Sequence, residues 1–111
     1  MKTVEVKVSE LEGAALDWAV AKSEGDDHWT CDRNPDWFAW RMRNWKPSTD
    51  WSQGGYLIED NKISLIYAFE QYEALIGMTV SEQAETPLIA ACRAIVAAKL
   101  GESVQIPAEL A

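Results

Sequence analysis

The chain has 111 residues, 48% of them hydrophobic and 25% charged, with a formal net charge of -8. This length suits a single domain, residues 1–111, with a core of its own, and this balance excludes a disordered chain. The acid excess excludes general affinity for nucleic-acid phosphates, which draws on lysine and arginine to release counterions.

Val4-Glu5-Val6-Lys7-Val8 alternates apolar and polar residues, the period of a half-buried strand. Ser9-Glu10-Leu11-Glu12 has the form of a capping box, in which Ser9 and Glu12 satisfy each other's backbone N–H groups. It predicts a helix from about Glu10 to Ser23, with Gly25 as a left-handed stop. Leu11, Ala14, Ala15, Trp18 and Ala19 share its apolar face, broadened by Leu16 and Val20. Gly13 weakens that helix, and its expected use is the close approach of another backbone.

From Gly25 to Lys46 no period dominates. Asn34-Pro35-Asp36 predicts a turn. Trp37 to Arg43 alternates as a strand would, although a helical turn also fits. The stretch WKPSTDWSQGG, Trp45 to Gly55, is read as a stiff aromatic loop in which Asp50 holds the turn and Gly54-Gly55 permits close approach. Tyr56 to Glu59 and Ile63 to Tyr67 then predict a hairpin turning at Asp60-Asn61. Tyr72 to Val80 adds a further β-rich run. Thr86-Pro87 is a strong helix start, and that helix should run to about Leu100 and stop at Gly101. Its core face is Leu88, Ala91, Cys92, Ile95 and Val96. Val104 to Pro107 is a short extended tail. The order β-α-(irregular)-β-β-β-α predicts an α+β domain, an antiparallel sheet with two helices packed on one face.

Two cysteines, Cys31 and Cys92, are too few for a disulfide framework. No apolar run approaches the roughly 20 residues of a membrane span, and the start MKTVEVKVSELEG has no apolar signal core. A cytosolic protein with no membrane partner is expected.

Five of the six tryptophans fall between Trp29 and Trp51. From His28 to Asp50, four cations (Arg33, Arg41, Arg43, Lys46) face three carboxylates (Asp32, Asp36, Asp50), so this segment carries +1 and the remainder -9. Flat aromatic faces and arginine forks suit a ligand with a ring and an anionic part. The competing explanation is a small core filled by large aromatics with arginine stems packed over them. Asp17, beside Trp18, and Arg93, in the alanine-rich IAACRAIVAAK, are further contact candidates. No catalytic set, metal-ligand spacing or cofactor motif is apparent. His28 and Cys31 lack partners for zinc, and Gly54-Gly55 is followed by no phosphate-loop lysine.

ALDWAVAK (Ala15 to Lys22), PSTDWSQGG (Pro47 to Gly55), TPLIAACRAIVAAKLG (Thr86 to Gly101) and VQIP (Val104 to Pro107) together resemble the NinX-like family of small phage and prophage proteins. The resemblance implies a phage origin and expression in the bacterial cytoplasm, and supplies no reaction. Its matching positions include Asp17, Trp18, Ser48, Thr49, Asp50, Trp51, Gly54, Gly55, Thr86, Pro87 and Arg93.

The first expectation is a non-enzymatic phage anti-defence protein that binds and sequesters a nucleotide-derived immune signal, by analogy with phage sponge proteins. Trp18, Trp45 or Trp51 would stack on the base, Arg41, Arg43 or Arg93 would meet the phosphates, and Asp50 a ribose hydroxyl. Binding between subunits would make the protein a homo-oligomer. The second is an acidic inhibitor that docks on a basic host protein as a DNA mimic, anchored by exposed tryptophans. An enzyme acting on such nucleotides is a third.

Overall fold

The N-terminal strand β1, Thr3–Lys7, runs into a 3-10 turn over Val8–Glu10, followed by helices α1 (Gly13–Ser23), α2 (Pro35–Asn44) and α3 (Trp51–Asp60). Strands β2 (Ser64–Ala68), β3 (Gln71–Ile76) and β4 (Thr79–Val80) precede helix α4 (Pro87–Leu100) and strand β5 (Ser103–Pro107). The computed structural model describes residues 2–25, 35–81 and 83–111. The readings made on His28, Trp29, Cys31, Asp32, Arg33 and Asn34 lie outside them.

The α+β class holds, with antiparallel pairing throughout the described residues, but the strands form two sheets. β1 pairs with β5, from Thr3 opposite Pro107 to Lys7 opposite Ser103. The order β2-β3-β4 makes the other sheet. α4 serves both sheets. Cys92, Ile95 and Val96 join Leu16, Trp18, Val20, Val104 and Ile106 in the main core, while Ala90, Ala91 and Ala94 pack against Ala74 and Ala84 beside β3. Alanines there bring the helix close to the sheet. α4 begins and ends as predicted. The Thr86 hydroxyl accepts the Ile89 N–H at 3.1 Å, Pro87 stands in the first turn, and Gly101 takes φ +95.

Four local expectations change. Ser9 lies in the 3-10 turn instead of capping α1, whose N-cap Glu12 makes no side-chain cap bond. Burial of Leu11, whose N–H donates to the Val8 carbonyl, delays the helix to Gly13. Gly13 has open space around a built Cβ; its φ of +58 is what requires glycine. Ala14, expected on the core face, is exposed.

Second, Trp37 to Arg43 is helical, not a strand. Pro35 and Asp36 suit a helix start, Arg41 and Arg43 suit its C-terminal dipole, and Phe38, Met42 and Trp45 reach the core at helical spacing.

Third, Tyr56 to Glu59 belongs to α3. Gly54 and Gly55 lie inside that helix because Gly54 passes hard against its neighbours: a Cβ there would sit 2.5 Å from both the Pro47 carbonyl oxygen and Leu88 Cδ2.

Fourth, the hairpin is β2–β3, not one turning at Asp60-Asn61. It turns at Phe69-Glu70, with φ of +53 and +64.

Candidate functional site

WKPSTDWSQGG folds as the corner between α2 and α3. The Lys46 carbonyl accepts the N–H groups of Thr49 at 3.1 Å and Asp50 at 2.8 Å. Asp50 caps α3, its Oδ1 accepting the Ser52 N–H at 2.9 Å and the Ser52 hydroxyl at 2.6 Å. These bonds hold its carboxyl below the usual range. Gln53 clamps the corner: its Nε2 donates to the Asn44 carbonyl at 2.8 Å and its Oε1 accepts the Lys46 N–H at 2.7 Å.

Asp17 docks this corner onto α1. Its Oδ1 accepts the Ser48 N–H at 2.9 Å, and its own carbonyl accepts the Trp45 indole N–H at 2.8 Å. Burial raises the Asp17 carboxyl pKa above its ordinary value, opposed by the Ser48 hydroxyl, the Ser48 N–H and the Lys46 charge. Of the two Ser48 groups, the N–H makes the aligned bond. The hydroxyl is buried with no hydrogen bond among the described residues, so its influence on the carboxyl is one of proximity.

The seven candidate contact residues separate. Trp18 is buried in the core, with Lys22 Nζ 5.5 Å from its ring centroid. Trp45 and Asp50 are engaged in the corner. Arg41 lies 5.6 Å from the Trp37 ring centroid, and Arg43 is exposed on the same helix. Trp51 opens α3 with 56% of its surface exposed.

Arg93 stands in a different setting. Its Nε–H donates to the Leu11 carbonyl at 2.9 Å, which fixes the fork, and no other hydrogen bond or ion pair among the described residues engages it. It lines an open cleft of about 300 Å³ together with Lys7, Ser9, Ser81, Glu102 and Ser103. β1, β4 and the turn into β5 form its walls, and Arg93 and Ala97 contribute from α4. Ser81 accepts the Ala74 N–H at 2.9 Å through its hydroxyl oxygen, which leaves its proton to donate. Among the described residues the lining holds two cations, one carboxylate and three hydroxyls, a basic balance on a chain of net charge -8. A second cleft of about 250 Å³ also touches Arg93, but Glu12 and Glu85 line it.

Sequence reasoning found Arg93 and missed Lys7, Ser9, Ser81 and Ser103. Lys7, Ser81 and Ser103 are brought to Arg93 by strand pairing and have no local signature, while the signature at Ser9 pointed to a helix cap. None of the other six contact candidates lines this cleft.

Among the described residues no three His, Cys, Asp or Glu side chains gather as a metal site. The Cys92 thiol is buried, and burial with the nearby Asp17 charge pushes its pKa far above the ordinary thiol value, which removes it as a nucleophile near neutral pH.

A family model described as bacteriophage P22, NinX matches residues 7–99. The chain belongs to the NinX family. A search of curated proteins finds no match. The family match spans α1, the α2–α3 corner and nearly all of α4, so the residues of the corner and Arg93 are NinX-family positions, whereas most of β1 and all of β5 fall outside it. Among the described residues no helix is long and apolar enough to cross a membrane.

Proposed function

We propose that this NinX-family phage protein binds a small phosphate-bearing, nucleotide-derived molecule in the cleft around Arg93. It sequesters that molecule without turnover in the host cytoplasm, as an anti-defence protein acting on an immune signal. One observation carries the reading: Arg93 is oriented through Nε by the Leu11 carbonyl and lines a cleft with Lys7 and three serines. An arginine fork held in this way spends little entropy on meeting a phosphate, and hydroxyls supply the remaining donors. The cleft volume lies at the lower end of the range for small-molecule sites. No aromatic side chain lines the cleft among the described residues, so recognition there rests on the anionic part of the ligand.

The test is thermal melting and calorimetric titration with ADP-ribose, a cyclic dinucleotide and inorganic phosphate. Binding is expected for at least one nucleotide. Arg93→Gln should weaken it at least about tenfold, the loss of one charge-assisted contact. Arg93→Lys, which keeps charge without the fork, should fall between. Ligand released by heating should be intact. No nucleotide shifting the melt, or Arg93→Gln binding as the parent does, sinks the reading. A chemically changed ligand turns it into an enzyme.

The acidic-inhibitor reading is supported by a separate observation: Trp40, Trp51 and Tyr56 are all at least half exposed on α2 and α3. Exposed tryptophans are common interface anchors. On this reading a basic host protein is recovered from lysate, and is lost at high salt and with Trp51→Ala.

A further inference from the structure

Arg93 lines both clefts, and three stretches of chain pass from one cleft to the other in step. On α4, Ala97 belongs to the first cleft, Ile89 to the second and Arg93 to both. One helical face, at i, i+4 and i+8, therefore floors about 12 Å of surface. On one side Lys7 and Ser9 line the first cleft and Glu12 the second; on the other Ser81 lines the first, and Gln83 and Glu85 the second. Main-chain bonds hold both walls. The Val8 N–H donates to the Glu102 carbonyl at 2.8 Å, the Ser81 N–H donates to the Ala74 carbonyl at 2.8 Å, and Ala84 exchanges two backbone bonds with Tyr72, each 2.9 Å. The carbonyl that fixes Arg93 belongs to Leu11, between Ser9 and Glu12, so the guanidinium stands where the clefts meet. They are two halves of one groove.

The halves differ in chemistry. The first offers a lysine and three serines to a phosphate. The second offers the carboxylates of Glu12 and Glu85 and the amides of Gln71 and Gln83. Among the described residues no side-chain hydrogen bond or ion pair engages these four, and Glu12, although it stands at the N-cap of α1, makes no cap bond. Two carboxylates repel a phosphate but accept from hydroxyl and amino groups, and a primary amide can pair with the edge of a base. Ile89 gives that half an aliphatic floor. The two volumes, about 300 and about 250 Å³, together suit a small molecule longer than a phosphate group alone.

We propose that the groove takes a nucleotide lengthwise, its phosphate at Arg93 in the first half and its uncharged nucleoside end in the second, where Gln83 and Glu85 read hydroxyl and amino groups. This rests on the reading of Arg93 as a phosphate contact and adds the part of the ligand that the first cleft does not recognise.

Calorimetric titration with ADP, ADP-ribose and inorganic pyrophosphate tests it. At least one of the two nucleotides should bind about tenfold or more tightly than pyrophosphate. Arg93→Gln should weaken nucleotide and pyrophosphate alike. Gln83→Ala combined with Glu85→Ala, both at exposed positions, should remove the nucleotide's advantage with unchanged far-ultraviolet circular dichroism. Pyrophosphate should bind this variant no more weakly than the parent, since a negative charge has been taken away. A nucleotide advantage that survives the double variant overturns the second half of the groove and leaves the Arg93 reading standing. So does pyrophosphate binding as tightly as the nucleotides. Nucleotide binding that ignores Arg93→Gln, or no binding by any of the three, overturns both.

Discussion

At Asp17 a carboxylate is buried for the sake of one backbone N–H. Burial disfavours its charged form, and the Ser48 groups and Lys46 offset this only in part, so the folded pKa stands above the ordinary value. The sign of the pH dependence follows. In the window between the ordinary and the raised pKa the folded state holds more proton than the unfolded one. The contribution of Asp17 to stability is therefore complete below the ordinary carboxyl range and falls as pH rises through the folded value. Asp50 acts in the opposite sense, its contribution present above the ordinary range and lost as pH falls through its lowered value. Asp17→Asn keeps an acceptor for Ser48 and cannot titrate. As pH rises from the ordinary carboxyl range through the raised value, urea midpoints should therefore shift in favour of Asp17→Asn relative to the parent. A difference that stays constant with pH contradicts this account. Asp17→Ala strands the buried Ser48 N–H and should cost about 1–3 kcal/mol.

Elements were legible where local chemistry and tertiary packing agreed. α4 is the clearest instance: Thr86, Pro87 and Gly101 mark its ends, and its apolar face is the buried one. α3 is the opposite instance. Gly54-Gly55 reads as a breaker because glycine costs a helix about 1 kcal/mol. Here that cost is outweighed by the approach of α3 to Pro47 in the preceding turn and to Leu88, which is distant in sequence. α2 misled for another reason, since the run Trp37 to Arg43 satisfies both periods over its seven positions, and what favours the helix lies largely at its flanks, in Pro35, Asp36 and Trp45. The candidate site divides in the same way. Arg93 stood out as a lone charge among alanines, but Lys7, Ser81 and Ser103 reach it only through the pairing of β1 with β5 and the placing of β4. The two glycines should respond with opposite signs. Gly54→Ala gains propensity but drives a methyl group into backbone, and overpacking of about 1–3 kcal/mol should leave it destabilised. Gly55→Ala meets open space at helical φ and should stabilise by about 0.5–1 kcal/mol. Thermal melts of the two variants decide it, and a stabilised Gly54→Ala would refute the close approach.

For the whole molecule, the two ends of the chain close the core together. Among the described residues β1 pairs with β5 alone, and the Ala108 N–H continues the ladder to the Lys2 carbonyl at 3.0 Å. β5 inserts Val104 and Ile106 into the cluster built by α1 and α4. The span matched to the NinX family, residues 7–99, omits most of β1 and all of β5, so it lacks one wall of that core and part of the wall of the Arg93 cleft. Burial of each of these aliphatic side chains contributes about 1.5–3 kcal/mol. Against a total stability of about 5–15 kcal/mol, losing both together with the strand pairing removes a large part of the margin. A fragment of residues 7–99 should therefore show no cooperative thermal transition by circular dichroism at 25 °C and above, and no nucleotide-induced shift, while the full chain shows a single transition. Ile106→Ala in the full chain should give the intermediate result, a cooperative melt destabilised by about 2–5 kcal/mol. A fragment that melts as the full chain does would mean that α1 and α4 hold the fold unaided, and that β1 and β5 serve only to build the cleft.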